Sequence, residues 1–435
     1  MDSNSTTNSI TTTNSITNTY VPTFASHKAD YSRSILVGQL DTYKKLKPLK
    51  LDKNKWELKE MGPDVFNEMN SKYYTAHIEA MARIADHKRP KDLKKVYRFS
   101  LIGITDSNNL FKNYTCTIKS IDVWFFPCDI VLFSIDVDDG GNTLDNITKM
   151  HGRWKDWCNS YQNFKTDELD NLLKPLADLT TSKTVQSLTY QHTKMRQYQI
   201  IQVDGDTLDD NLLYELGTTS KIGTIDNPDV HESFKPANDY LDNILKNNTV
   251  SAFSNWKALA LNDTFTVLAN DNAFAKFEPD YNYFEMLYLR CLVQEYYCFS
   301  RNNAYREGKR MSIKNADAEI DLMVKYYFYD DMSYDFLPPL MYGAMVKGLG
   351  LEGDRHELIG RVKQDLREQR SSRNDRAVAI VKIFAMLTVV SALGEMIKRA
   401  FDCLDKIPWF DKAVLASAVL LTVLFLWLTS RRRRK

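Results

Sequence analysis

Several residue groups in this 435-residue chain have the types that chemistry needs, and spacing decides among them. His356-Glu357 opens a zinc-protease string, but Gly360 stands where the second histidine must be. His77-Ile78-Glu79 with Pro127-Cys128 follows a deaminase pattern until Val131 replaces its second cysteine. Asp136, Asp138 and Asp139 precede Gly140-Gly141 as in a calcium loop. Its twelfth position is Ile147 rather than a glutamate, so a solvated turn is the better reading. Gly348, Gly350 and Gly353 fit G-x-G-x-x-G without the preceding strand that a nucleotide site requires, which leaves a glycine turn before a helix. With neither G-x-S-x-G nor a P-loop, the sequence reads as a non-enzyme.

A different constellation lies near the C-terminus. Thr388, Ser391 and Glu395 stand at i, i+3 and i+7, on one face of a helix. Several such helices around an axis would form hydroxyl rings and a carboxylate ring, which concentrates cations. The competing reading is ordinary helix packing, with Ser and Thr bonded to backbone.

The elements that must position these residues read as membrane helices. Ala413–Thr429 is seventeen residues without a charge, bracketed by Trp409 and Trp427. Ala377–Gly394 is eighteen residues with one charge, Lys382. Arg367, Arg370, Arg373 and Arg376 precede this pair, and Arg431, Arg432, Arg433, Arg434 and Lys435 follow it. Basic residues at both outer ends place both termini in the cytoplasm, as a multi-pass protein of the inner membrane. Their plain role is topology and contact with anionic lipid. A positive collar around a pore is the sharper one.

The rest of the chain reads as a soluble body. Removing the basic tail leaves 52 basic against 56 acidic residues, which argues against a nucleic-acid binder. Six scattered cysteines without a C-x-x-C pair suit a reducing compartment. Residues 1–25, rich in Ser, Thr and Asn, are expected to be disordered. Strands are expected over Val96–Thr105, Thr115–Phe126, Ile130–Val137 and Gln197–Val203, with a hairpin turning at Asn262-Asp263. Thr143 should cap a helix reaching about Tyr161. The expected fold is an α+β cytoplasmic domain over 40–275, then long stalk helices over 280–376. A two-helix transmembrane hairpin over 377–430 and a basic tail over 431–435 complete it.

That order, with the Trp256–Leu268 hairpin, Gln294-Glu295-Tyr296-Tyr297 and the Leu349–Arg370 stretch, resembles the CorA family of magnesium transport proteins. The resemblance covers about 250–435, and 95–250 loosely. It implies a homopentamer whose first membrane helix lines a pore, with Mg2+ or another divalent cation transported or regulatory and no covalent cofactor. The family carries Gly-Met-Asn at the outer end of that helix. Here Gly394-Glu395-Met396 keeps the glycine and lacks the asparagine, which puts magnesium selectivity in doubt. Branches with altered filters resemble membrane effectors of type III CRISPR antiviral defence, switched by a small nucleotide messenger. Three functions stand as expectations: a divalent-cation channel lined by Thr388, Ser391, Gly394 and Glu395, a ligand-gated membrane effector, and a non-conducting anchored scaffold.

Overall fold

Nine strands follow one another as β1 (Tyr31–Gln39), β2 (Trp56–Lys59), β3 (Tyr97–Leu101), β4 (Thr117–Phe125), β5 (Val131–Asp138), β6 (Arg196–Gln202), β7 (Thr249–Phe253), β8 (Trp256–Ala260) and β9 (Thr264–Ala269). They form one sheet in the order β2-β3-β4-β5-β1-β6-β9-β8-β7. Every pairing is antiparallel except β6 with β9, where Gln197 lies beside Thr264 and Gln202 beside Ala269. The helices are α1 (Leu144–Lys155), α2 (Trp157–Phe164), α3 (Asp167–Ala177), α4 (Asp210–Thr218), α5 (Asn238–Asn248), α6 (Tyr283–Arg306), α7 (Ile313–Tyr326), α8 (Leu337–Gly348) and α9 (Leu351–Leu404). This computed structural model describes residues 24–42, 46, 51–59, 96–104, 110–204, 208–270, 283–307, 313–328, 333 and 336–404. It divides into two units, Met1–Gly360 and Arg361–Lys435.

In the first unit, helices cover both faces of the sheet. That is why β5 and β9 are buried at nearly every position instead of alternating. On one face Met150 and Trp154 of α1, Tyr161 of α2 and Leu173 of α3 pack with Phe99, Ile121 and Phe133. On the other, Tyr288 of α6 lies against Tyr198 and Phe265, at 6.0 and 6.1 Å between ring centres. Each such side chain removed from water contributes about 1.5–3 kcal/mol.

Local chemistry sets the boundaries. Thr143, Thr166 and Asp209 accept hydrogen bonds from the third following backbone N–H and so start α1, α3 and α4. α1 stops at Asp156, short of the expected Tyr161, and α2 resumes at Trp157. Cys128 and Asp129 adopt φ of 63° and 61° to turn β4 into β5. Pro338 and Pro339 sit in the first turn of α8, where their missing N–H groups cost no intrahelical bond. Gly350 takes φ +67° between α8 and α9, the glycine turn expected there.

In the second unit the description consists of α9 from Arg361 onward. α9 is one unbroken helix of 54 residues. Among the described residues, however, no helix is long and apolar enough to cross a membrane. This overturns the expected fold class with its transmembrane hairpin, the membrane-channel reading and the multi-pass inner-membrane location. The apolar run 377–394 is closed by Arg376 and Glu395 and interrupted by Lys382. Eighteen residues reach about 27 Å, against a hydrocarbon core of about 30 Å. The expected second span, Ala413–Thr429, lies outside the described residues.

Gly348 has a strict packing role. A Cβ there would meet the Ala260 carbonyl carbon and oxygen of β8 at 2.6 Å. Gly348→Ala should therefore destabilise the protein by about 1–3 kcal/mol through overpacking, read as a lower urea midpoint at unchanged slope.

Candidate functional site

Three places bring chemistry-bearing residues together, and sequence reading had singled out one of them. The first is a polar line on the face of the sheet covered by α1–α4. Asp139 follows β5, His151 lies in α1 and Ser34 in β1, all of them buried. His151 Nε2 lies 2.5 Å from Asp139 Oδ2 and 3.0 Å from Ser34 Oγ. Gln197 Nε2 donates to Ser34 Oγ at 3.3 Å, and Gln199 Nε2 donates to Thr266 Oγ1 at 2.5 Å and to the Leu216 carbonyl at 3.1 Å. The residue types are those of a serine hydrolase, but the geometry is not. A relay places acid and nucleophile on opposite ring nitrogens, whereas both contacts here fall on Nε2. With Ser34 sealed from solvent, the line is a structural network that satisfies polar groups inside the core.

The second place is the opposite face. Arg33 of β1 forms a two-pronged ion pair with Asp136 of β5, with Nε to Oδ1 at 2.7 Å. Arg98 of β3 donates to Asp122 of β4 at 2.9 Å and stacks on Trp124, its guanidinium carbon 4.8 Å from the ring centre. Ser100 and Ser120 complete the shell of Asp122. Glu285, in the first turn of α6, is near enough to Arg98, Asp136, Asp122 and Arg33 for their charges to act on its carboxyl. Burial, helped by the two aspartates and opposed by the two arginines, pushes its carboxyl up to about 8. Further along α6, Glu295 forms a two-pronged ion pair with Arg196 of β6. Burial pushes Glu295 upward too, with Arg196 opposing.

The Asp136–Asp139 stretch, read as a solvated turn rather than a calcium loop, is drawn into these networks. Asp136 serves Arg33, Asp139 serves His151, and Asp138 lies 3.6 Å from Lys119. Among the described residues no group of three or more His, Cys, Asp or Glu is arranged to hold a metal ion.

The third place is α9, which carries the residues read as pore-lining. Because the helix is unbroken, Thr388, Ser391 and Glu395 share one face. Thr388 is exposed, and its Oγ1 donates to the Phe384 carbonyl at 2.9 Å, the backbone bonding weighed as the plainer reading. Gly394 and Arg367 are exposed. Arg370, Arg373 and Arg376 lie on the same helix. Arg431, Arg432, Arg433, Arg434 and Lys435 lie outside the described residues, as do His77 and Glu79.

Around these residues the helix is apolar and open. Val378, Ile380, Val381, Ile383, Phe384 and Met386 are between 51% and 69% exposed. At about 100° per residue they point to all sides of the axis.

No family model, curated protein or solved structure matches the chain. The functional reading therefore rests on its own geometry.

Sequence reading missed Arg33, Arg98, Glu285, His151 and Ser34. Asp122 between Ile121 and Val123, and Asp136 between Ile135 and Val137, are a visible signal of buried pairing. Nothing local marks Glu285, whose partners lie on four strands well before it in the chain.

Two outcomes follow. Glu295→Ala leaves Arg196 buried opposite no carboxylate and should cost about 3–5 kcal/mol, while the paired change Arg196→Met with Glu295→Leu should cost much less. Denaturant titration of the three variants measures this. A fluorophosphonate probe should leave Ser34 unlabelled in the folded protein, as shown by mass spectrometry of its peptide.

Proposed function

We propose that the protein is a non-catalytic, self-assembling scaffold whose copies associate through the 377–394 segment of α9. The observation that carries this reading is the exposure of apolar side chains on every side of that segment. A helix apolar all round is stable where other apolar surfaces enclose it. Contiguous exposed apolar patches of this kind mark association sites. A two-helix seam would cover one stripe and leave the rest in water. Enclosure by copies of the same helix requires more than two of them. The polar networks of the first unit support the same conclusion from the other side, since they are consumed in holding the sheet and its helices together.

The experiment is light scattering on the full-length chain after size exclusion. The wild type should have a mass of three or more copies. Ile383→Glu combined with Phe384→Glu places charge on two sides of the segment and should reduce it to a single copy, with its circular dichroism unchanged. A wild-type chain of single-copy mass, in buffer or in mild detergent, overturns the reading. So does a double variant that keeps the wild-type mass.

A further inference from the structure

The apolar residues of α9 follow a stricter order than exposure alone shows. Ala379, Ile383, Met386, Val390, Leu393, Ile397, Ala400 and Leu404 succeed one another at alternating steps of four and three residues. All of them are apolar. This is the a and d spacing of a coiled-coil seam, and it runs unbroken from 379 to 404. Ala379, Ile383 and Met386 are exposed.

The positions beside the seam are mostly apolar as well. Ile380, Leu387 and Phe401 stand on one flank, and Val389, Met396 and Cys403 on the other, with Lys382 the charge among them. A two-stranded coil needs only the a and d stripe. Apolar flanks on both sides suit a helix with a neighbour on each side.

Polar residues keep to the remaining arc. The charged residues between 377 and 404 are Lys382, Glu395, Lys398, Arg399 and Asp402. All but Lys382 stand at b, c or f, the arc opposite the seam. Thr388 at f and Ser391 at b share it. Glu395 with Arg399, and Lys398 with Asp402, stand four residues apart, a spacing that suits a solvated helix face.

Resting on the scaffold reading above, we infer that copies of α9 join as a parallel, in-register bundle along the 379–404 seam. Direction and register follow from symmetry. Homo-oligomers close by point-group symmetry. Rotation about a common axis keeps helices that lie along it parallel and level. Each seam residue then meets its own counterpart in a neighbouring copy. Thr388, Ser391 and Glu395 lie on the outer arc of this bundle, which is the wrong side for a pore.

Disulfide cross-linking tests this on the full-length protein, with Cys403→Ser as background. Met386→Cys and Leu393→Cys place a thiol at two d positions about 10 Å apart along the axis. Thr388→Cys and Glu395→Cys place one on the outer arc. Each variant is first sized by light scattering and then treated with a mild oxidant. Covalent dimer should form at 386 and at 393 at least about ten times faster than at 388 and 395, because a disulfide needs the two Cα atoms within about 7 Å. An antiparallel pair can bring one of the two d positions against itself but not both. Cross-linking at only one of them therefore overturns the inference. So does equal cross-linking on the outer arc, or none at all in protein of three or more copies, and in these cases the scaffold reading stands. A single-copy wild-type mass removes both. If a d-position variant loses the wild-type mass, Val390→Cys and Ile397→Cys at two a positions take the place of the pair, under the same requirement.

Discussion

Covering a sheet on both faces removes water from its inner strands, and this constraint governs the first unit. Any polar side chain on an inner face must find a partner inside. The two faces meet the demand differently. Under α1–α4 the answer is a line of hydrogen bonds that starts at Asp139 and His151 and continues through Ser34, Gln197 and Gln199. Under α6 the answer is ion pairs, Arg33 with Asp136, Arg98 with Asp122 and Arg196 with Glu295. These pairs also fix register. A slip of β1 by one residue would turn Arg33 to the wrong face and strand Asp136.

The same accounting separates the two units. In the first, the apolar side chains of the sheet and its covering helices are buried together, and the ion pairs and hydrogen bonds named above join buried polar groups. In the described part of the second, α9 carries apolar side chains that the described residues leave exposed. Association of copies, as proposed above, would enclose these side chains. Specificity for that association need not come from the apolar segment alone. The preceding stretch alternates charges, with Asp365, Glu368 and Asp375 among Arg361, Lys363, Arg367, Arg370, Arg373 and Arg376. Such interleaving can favour one relative alignment of copies over others.

Local signals made much of the first unit legible. Runs of β-branched and aromatic residues sit where β3, β4, β5 and β6 form. Asn262-Asp263 lies in the loop that joins β8 and β9, and Thr143 caps α1. What could not be read depended on partners distant in sequence. β1 was missed because YSRSILVGQ carries two serines and an arginine that read as surface, and only the surrounding strands make it central. Glu285 and His151 gain their roles from strands and loops far along the chain. The membrane reading failed for a related reason. Hydropathy shows that a segment avoids water without showing what encloses it. The helical character of the apolar stretch was legible, while its surroundings were not.

The place of β1 sets the order in which the molecule can be made. Among the described strands it is the first to leave the ribosome, yet its neighbours are β5 and β6, so Arg33 waits for Asp138 and then for Ile200. Until synthesis passes residue 138 both of its hydrogen-bonding edges are open, and one stays open until residue 202. Synthesis at about 5–20 residues per second makes that delay many seconds. During it the nascent chain offers an unpaired strand to any other chain nearby. A protein built this way has reason to depend on early protection by chaperones, and crowding of its own translating copies is where misassembly would begin.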